Sequence, residues 1–318
     1  MVQSTALTGQ GSLVRIQYNP QFLNLKIIED ILLVRTFTII DGMLVITTIF
    51  SKINKAYETS AEVWITIIGS FLFLSLTYIY ANQYPINLIY AGIFSAFIGW
   101  DLGPGIAFMG EKIKFEQYLK KIGVNSKIIY EKSTKKTHES IADKYFRKHK
   151  DLTKKLVFYY EKDSSITFAA DSKEMLEIKK QFKEEVTQKD IDSYSEKWRN
   201  IVFQAMIATT LSVFLTLLVI YITDYDFGFL GIFLFISLLA LIIVELLNYV
   251  IFKSTWFRRR TSYVGILIFT LYLVYDFNRL EKLAAQGDES WGTAVTIAVA
   301  LYLDIINLFT YILELLGG

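Results

Sequence analysis

The chain has no cysteine and only two histidines among its 318 residues. Without cysteine there is no disulfide framework, thiolate metal site, cysteine nucleophile or palmitoylation site. His138 and His149 both lie in one polar stretch, so a pH response of the apolar remainder must use a group other than imidazole. No glycine-rich loop spaced to cradle a phosphate is present, and the lysines alternate with acids, which argues against nucleotide and nucleic-acid chemistry. Apolar residues are what the chain has in excess. They make up 53% of it, with a mean hydropathy of +0.37, above the level of a soluble domain of this length.

Crossing a bilayer takes roughly 20 apolar residues at about 1.5 Å of rise each, and runs of that length recur along the chain. A signal peptide would be a single run at the start, so it does not explain them. Spans are predicted over Ile31–Phe50, Val63–Tyr80, Ile86–Met109, Ile201–Ile222, Phe227–Phe252, Thr261–Phe277 and Gly292–Leu316. Asn82-Gln83-Tyr84-Pro85 reads as a tight turn, and the links at Thr223–Asp226 and Lys253–Arg260 permit only antiparallel neighbours. The expected fold class is an all-α polytopic membrane protein, a seven-helix bundle with a small soluble α+β insert. Its first partner is the lipid bilayer, whether a bacterial plasma membrane or a eukaryotic internal one. Residues 1–30 read as a polar leader, 31–110 as spans one to three, 111–199 as the insert and 200–318 as spans four to seven.

The insert holds 22 of the 33 basic residues against 16 acids, leaving the remainder at 11 against 15 and mildly acidic. Leu156–Tyr160 and Ser165–Phe168, separated by Glu161–Ser164, predict a β-hairpin. Met175, Ile178, Phe182 and Val186 follow at helical spacing amid Lys and Glu, which predicts an amphipathic helix. A folded cap that docks a protein partner is one reading of this insert, and a solvated spacer is the other. Flanking charges divide between Lys52, Lys55, Lys253 and Arg258–Arg260 on one side and Arg15, Lys26, Arg279 and Lys282 on the other, a balance that leans toward an outside N-terminus.

Ionisable groups inside spans cost about 2.5–3.5 kcal/mol each on insertion scales, which makes every one a functional candidate. Asp276 and Asp304 interrupt the last two apolar helices. With helix ends near Ala285 and Gly292 they stand roughly 13 and 18 Å from the connecting turn, at similar depth. Two carboxylates at one depth in a low dielectric cannot both ionise cheaply, so the pair is expected to share a proton. Carboxylates are also candidate calcium ligands, with waters or carbonyls completing the shell. On the structural alternative, each aspartate bonds a neighbour and fixes helix register.

Four further acids are candidate pore or cation-lining groups. Asp41 lies roughly 15 Å into the first span and needs a partner on another helix. Asp101 adjoins Gly103-Pro104-Gly105, where a broken helix would free carbonyls or a simple kink would lie near the surface. Glu62 opens the second span as an ordinary interfacial acid in preference to a mouth ligand, and Glu245, three residues before Asn248, either lines the interior or only hydrogen-bonds a neighbour. Arg258–Arg260 reads as a headgroup anchor.

Three segments carry a resemblance. Leu271-Tyr-Leu-Val-Tyr-Asp-Phe-Asn-Arg279 and Leu301-Tyr-Leu-Asp-Ile-Ile-Asn-Leu-Phe309 look like the two signature segments of the transmembrane Bax inhibitor motif family. Gly92–Gly99 with Leu102-Gly103-Pro104 resembles that family's third helix and its break. The resemblance covers spans one to three loosely and four to seven in full. It implies a seven-helix bundle whose last helix is surrounded by the others, a cytosolic N-terminus, and a pH-responsive aspartate pair gating calcium leak. By motif position that pair is Asp276 and Asp304. One departure is plain: the basic latch that bacterial members carry near the end of the second helix is missing from Tyr78–Gln83. Arg35 is a substitute latch or a side chain that snorkels to the interface.

The leading expectation is a pH-sensitive calcium-leak channel, without a resident cofactor and without enzymatic activity, calcium being the transported ion. A stress-regulatory interaction protein without conductance is the alternative. An intramembrane aspartyl protease is a remote third, because the Leu301-Tyr302-Leu303 that precedes Asp304 lacks the flexible glycines such enzymes use.

Overall fold

A backbone inside hydrocarbon must satisfy its own N–H and C=O groups, so the apolar runs fold as helices. The computed structural model describes residues 30–132, 152–188, 191–223, 225–248, 250 and 255–317. In chain order the elements are α1 (Ile31–Ile53), α2 (Ser60–Ile79), α3 (Ile86–Lys121), β1 (Val124–Lys132), β2 (Leu152–Tyr160), β3 (Asp163–Ala169), α4 (Lys173–Gln188), α5 (Ile191–Ile222), α6 (Leu230–Leu247), α7 (Thr255–Ala285) and α8 (Trp291–Gly317). Seven helices among the described residues, all but α4, are long and apolar enough to cross a membrane. The expected leader up to residue 29, His138, His149 and Lys253 lie outside the described residues.

Helix ends are set by local chemistry. Asp30 caps α1 by accepting from the Leu32 and Leu33 amides at 3.0 and 3.3 Å, and Thr59 caps α2 through the Glu62 amide at 3.2 Å. Helix α7 closes on Gly287, whose φ of 76° suits a residue without a Cβ; the Gly287 amide donates to Ala284 and the Asp288 amide to Leu283. Ser290 then caps α8 through the Thr293 amide. This short reversal makes α7 and α8 antiparallel neighbours.

Helix α8 is the axis of the bundle. It packs against α1, α2, α3, α5 and α7, and Ala294, Val295, Ile297, Ala298, Val299, Leu301 and Tyr302 are fully buried. Helix α6 lies outside, packed on α7, and presents Ile232, Phe233 and Phe235 outward. Such apolar outward faces suit lipid contact.

Helices α1 and α3 approach backbone to backbone. A Cβ on Gly99 would lie 2.5 Å from the Thr47 carbonyl oxygen, and one on Gly103 would lie 2.0 Å from that of Asn54. With Ala91 and Ser95 these glycines form a four-residue repeat of small, buried residues, which lets two membrane helices touch closely. The expected break at Leu102-Gly103-Pro104 does not occur: α3 runs unbroken through Pro104 to Lys121. Proline removes one intrahelical bond, the one to the Trp100 carbonyl, and the Asn54 side chain supplies it instead at 2.9 Å.

The insert folds as an α+β cap. Strands β1, β2 and β3 form an antiparallel sheet in that order, and β2 pairs with β3 with an irregularity at Tyr159/Tyr160. The hairpin turn is shorter than expected, since β3 already begins at Asp163. Strand β1 was not foreseen. Met175, Ile178 and Phe182 of α4 are buried as expected, against Tyr118 and Leu119 of α3 and Phe168 of β3; the side chain of Val186 lies outside those described. Part of the cap's core is therefore the end of a membrane helix, and α5 likewise starts at Ile191, inside the polar stretch.

Candidate functional site

Asp276 sits on α7 where Leu273, Phe277 and Leu280 face inward, and Asp304 sits on the most enclosed stretch of α8. Each is 5% exposed. The antiparallel turn at Gly287 brings them level, and the two carboxyl groups act directly on each other. Two carboxyl groups at such range in a low dielectric do not both ionise cheaply. The second oxygen of Asp304, Oδ2, is buried and has no hydrogen-bond partner among the described residues. Tyr272 and Arg279 on α7 and Tyr78 on α2 act electrostatically on the pair.

Opposite the pair, Tyr302 fastens α8 to its other neighbours. Two residues from Asp304, it points about 200° away around the helix. Its hydroxyl lies 2.5 Å from Thr47 Oγ1, which in turn reaches the Met43 carbonyl at 2.9 Å and the Ser95 carbonyl at 3.1 Å. The ring also meets Phe94 edge-on. Helix α8 is thus gripped on one side by α1 and α3 and meets α7 through carboxyl groups on the other.

Asp304, Asn307, Tyr311 and Glu314 succeed one another at steps of three and four residues, so they share one face of α8. At its far end Tyr311 donates to Glu245 at 2.6 Å, while Glu314 pairs with Arg258 at 2.6 Å and accepts from Ser262 at 2.8 Å. Glu245 therefore belongs to this second polar station, about two to three helical turns from the aspartates. Arg258 is committed to Glu314 and is more than a headgroup anchor.

The other candidate acids stand apart from the pair. Asp41 is exposed on the outer side of α1, and the expected partner on another helix is not found among the described residues. The inward stripe of α1 is Leu32, Thr36, Ile39, Ile40, Met43 and Thr47, and residue 41 falls outside that arc. Asp101 is also exposed and accepts from the Tyr57 hydroxyl. Burial and then this bond push the Tyr57 hydroxyl's pKa upward. Glu62 accepts from the Glu58 amide at 2.8 Å and from Trp100 Nε1 at 2.7 Å, tying the α1–α2 connector to α3. Arg35 donates to the Glu289 carbonyl, and its guanidinium lies 4.6 Å from the centre of the Trp291 ring. It clasps the α7–α8 turn and does not reach the aspartates as a latch.

Sequence reasoning missed Arg279, Tyr78 and Tyr272 as neighbours of the pair. Arg279 and Tyr272 stand three and four residues from Asp276, a spacing that shares a helix face and was a usable signal. Tyr78 comes from a distant helix, with no comparable signal. Among the described residues no three His, Asp or Glu side chains cluster to hold a metal. A calcium ion at the pair would need oxygens from water or backbone as well.

Comparison with known proteins places these features in a family context. Residues 192–318 match the family described as Inhibitor of apoptosis-promoting Bax1. Over 118 residues the chain is 33% identical to an uncharacterized membrane protein of Vibrio cholerae, covering 37% of this chain and 50% of that one. Protein LIFEGUARD 3 of Arabidopsis thaliana is 42% identical over 95 residues, 29% of this chain and 35% of the relative. The inner membrane protein YbhL of Escherichia coli is 29% identical over 103 residues, 31% and 44% respectively. The chain thus spans half or less of the length of these relatives. Bilayer-length helices and relatives named as membrane proteins together make it an integral membrane protein.

Proposed function

We propose, from the premise that residues 192–318 belong to the Bax inhibitor family, that the protein is a pH-sensitive calcium-leak channel gated by Asp276 and Asp304. The observation that carries the reading is the pair itself: two buried carboxyl groups beside each other in the bundle core, with Asp304 Oδ2 unpartnered among the described residues. With one proton between them the pair holds α7 against α8. Loss of that proton puts two negative charges side by side in a low dielectric, which α7 and α8 relieve by separating or by admitting a cation. Arg279 from α7, with Tyr78 and Tyr272, acts electrostatically on the pair and so bears on where this happens. The polar face of α8 from Asp304 to Glu314 is the route such an ion would follow.

The test is calcium flux into dye-loaded proteoliposomes between about pH 5 and 8, a range that a buried carboxyl pair can reach. Wild-type flux changes with pH, and Asp276→Asn or Asp304→Asn flattens the change. No flux above empty liposomes at any pH would sink the channel reading.

The interaction-protein reading has one observation in its favour, the folded cap with its own small core around Phe168, Met175 and Phe182. It predicts that the aspartate variants leave cellular phenotype intact while disruption of the cap abolishes it. The unbroken, fully buried course of α8 through Leu301 and Tyr302 supports the channel over an intramembrane protease, which must open its helix to admit a peptide.

A further inference from the structure

Where α1, α3 and α5 leave the hydrocarbon on the insert's side, the cap does not seal against the bundle. A cleft of about 650 Å³ lies between the end of α1, the extension of α3, α4 and the start of α5. A second of about 630 Å³ continues between α3 and α4, and the two share Glu111, Phe182 and Lys183. Lys52, Lys55, Lys114 and Lys183 line the first. Lys112, Lys179 and Lys180 join Lys183 in the second, and among the described residues Glu111 is the one acid lining either cleft.

Part of this charge has no acid beside it: Lys112 pairs with Glu116, whereas three of the lysines do not pair among the described residues. Lys52, Lys55 and Lys114 have no ion-pair partner among the described residues, and Lys114 is half-buried. Ammonium groups without a counter-charge beside a bilayer attract anionic headgroups. The walls are apolar toward the membrane: Ile106 and Ala107 line the first cleft, and Phe108 lines the second with 65% of its surface exposed. Leu176 of the cap, 58% exposed, lines the second cleft with Phe108. Trp198 of α5 packs on Gly110, where a Cβ would come within 2.7 Å of its indole nitrogen, and so marks the level of the interface.

Lysines above and exposed apolar side chains below, at the height where lipid headgroups sit, match one ligand chemistry. We propose that this cleft seats the phosphate headgroup of an anionic phospholipid from the leaflet on the insert's side, with an acyl chain running down α3 past Phe108. Basic pockets between membrane helices take anionic headgroups in this way. The lipid completes the junction between cap and bundle, and the attraction weakens with ionic strength.

Native mass spectrometry of the full chain in detergent micelles tests this, titrating phosphatidylglycerol against phosphatidylcholine, with and without excess inorganic phosphate. Phosphatidylglycerol is expected to bind roughly tenfold tighter or more, and Lys52→Gln with Lys114→Gln to remove about fivefold or more of that preference. Lys162→Gln with Lys173→Gln removes the same charge elsewhere on the cap and leaves the preference in place. Equal binding of the two lipids, equal losses in the two double variants, or displacement of the lipid by inorganic phosphate would each overturn the proposal. Should the first double variant unfold in lipid-free micelles, Lys55→Gln alone takes its place. A folded Lys55→Gln protein with undiminished preference also overturns it.

Discussion

Pro104 on α3 and Asn54 just past α1 complement one another across the helix interface. The proline has no N–H for the Trp100 carbonyl, and the Asn54 side-chain amide donates to that carbonyl at 2.9 Å. An orphaned carbonyl in a membrane bundle would have no water to turn to. The pair therefore closes a gap in one helix from the end of another, and it locks α1 and α3 in register beside the close contacts of Gly99 and Gly103.

Asn54→Ala is expected to destabilise the bundle by about 1–3 kcal/mol, the usual cost of an unsatisfied buried polar group. In a Pro104→Ala background the helix recovers its own N–H, and the same substitution costs less. Thermal unfolding in detergent across the four variants measures the coupling. Equal costs in both backgrounds would show that the two residues act independently.

Gly103→Ala and Gly105→Ala should have opposite consequences although they lie two residues apart. At Gly103 the added carbon meets the Asn54 and Ser51 carbonyls at 2.0 and 2.6 Å, and backbone cannot yield, so a loss of about 1–3 kcal/mol is expected. At Gly105 nothing lies within 4 Å, and alanine's helix propensity adds up to about 1 kcal/mol of stability. Melting temperatures of the two single variants decide it.

Asp226 supplies a pH dependence outside the membrane. Lys282, then the Gly228 amide and the Asn278 side chain, hold its carboxyl at about 2, below the ordinary 3.8. A carboxylate with a depressed folded-state pKa contributes stability above the unfolded value and loses it as pH falls through the folded one. The contribution is thus present above about pH 4 and vanishes toward pH 2. Asp226→Asn flattens that part of the stability profile, measured by unfolding between these limits. Because the group is exposed, the effect is small and shrinks with salt.

At the other end of α8, Glu314→Gln removes the charge paired with Arg258 while keeping an acceptor for Ser262. On the channel reading this loosens the end of α8 and raises basal calcium flux, with the pH dependence set by Asp276 and Asp304 preserved. Flux measured beside Asp304→Asn separates the two stations. A pH profile altered by Glu314→Gln would place the sensing group there instead.

The spans were legible because each is a continuous apolar run bounded by local punctuation, and the reversal from Ala285 to Trp291 lies where the sequence implied it. Asp276 and Asp304 were legible for the same reason: similar distances from one tight turn put them at similar depth in an antiparallel pair. Strand β1 was not legible, since its pairing with β2 joins segments far apart in the chain and the sequence between shows no turn. The sequence left Pro104 open as a break or a kink, because what repairs the helix there is Asn54, fifty residues earlier.

By itself the sequence determined how many helices are long and apolar enough to cross a bilayer, where they turn, and that the last two carry carboxyl groups at similar depth. These follow from periodicity and short-range spacing, which a chain carries locally. Tertiary structure alone decided which acids face inward: Asp41 points out of the bundle, Glu62 serves Trp100, Asp101 serves Tyr57, and Glu245 joins Tyr311. It also gathered Lys52, Lys114 and Lys183 from three separate helices around one cleft. Which face of a helix meets which neighbour depends on packing between distant segments, and no local pattern records it.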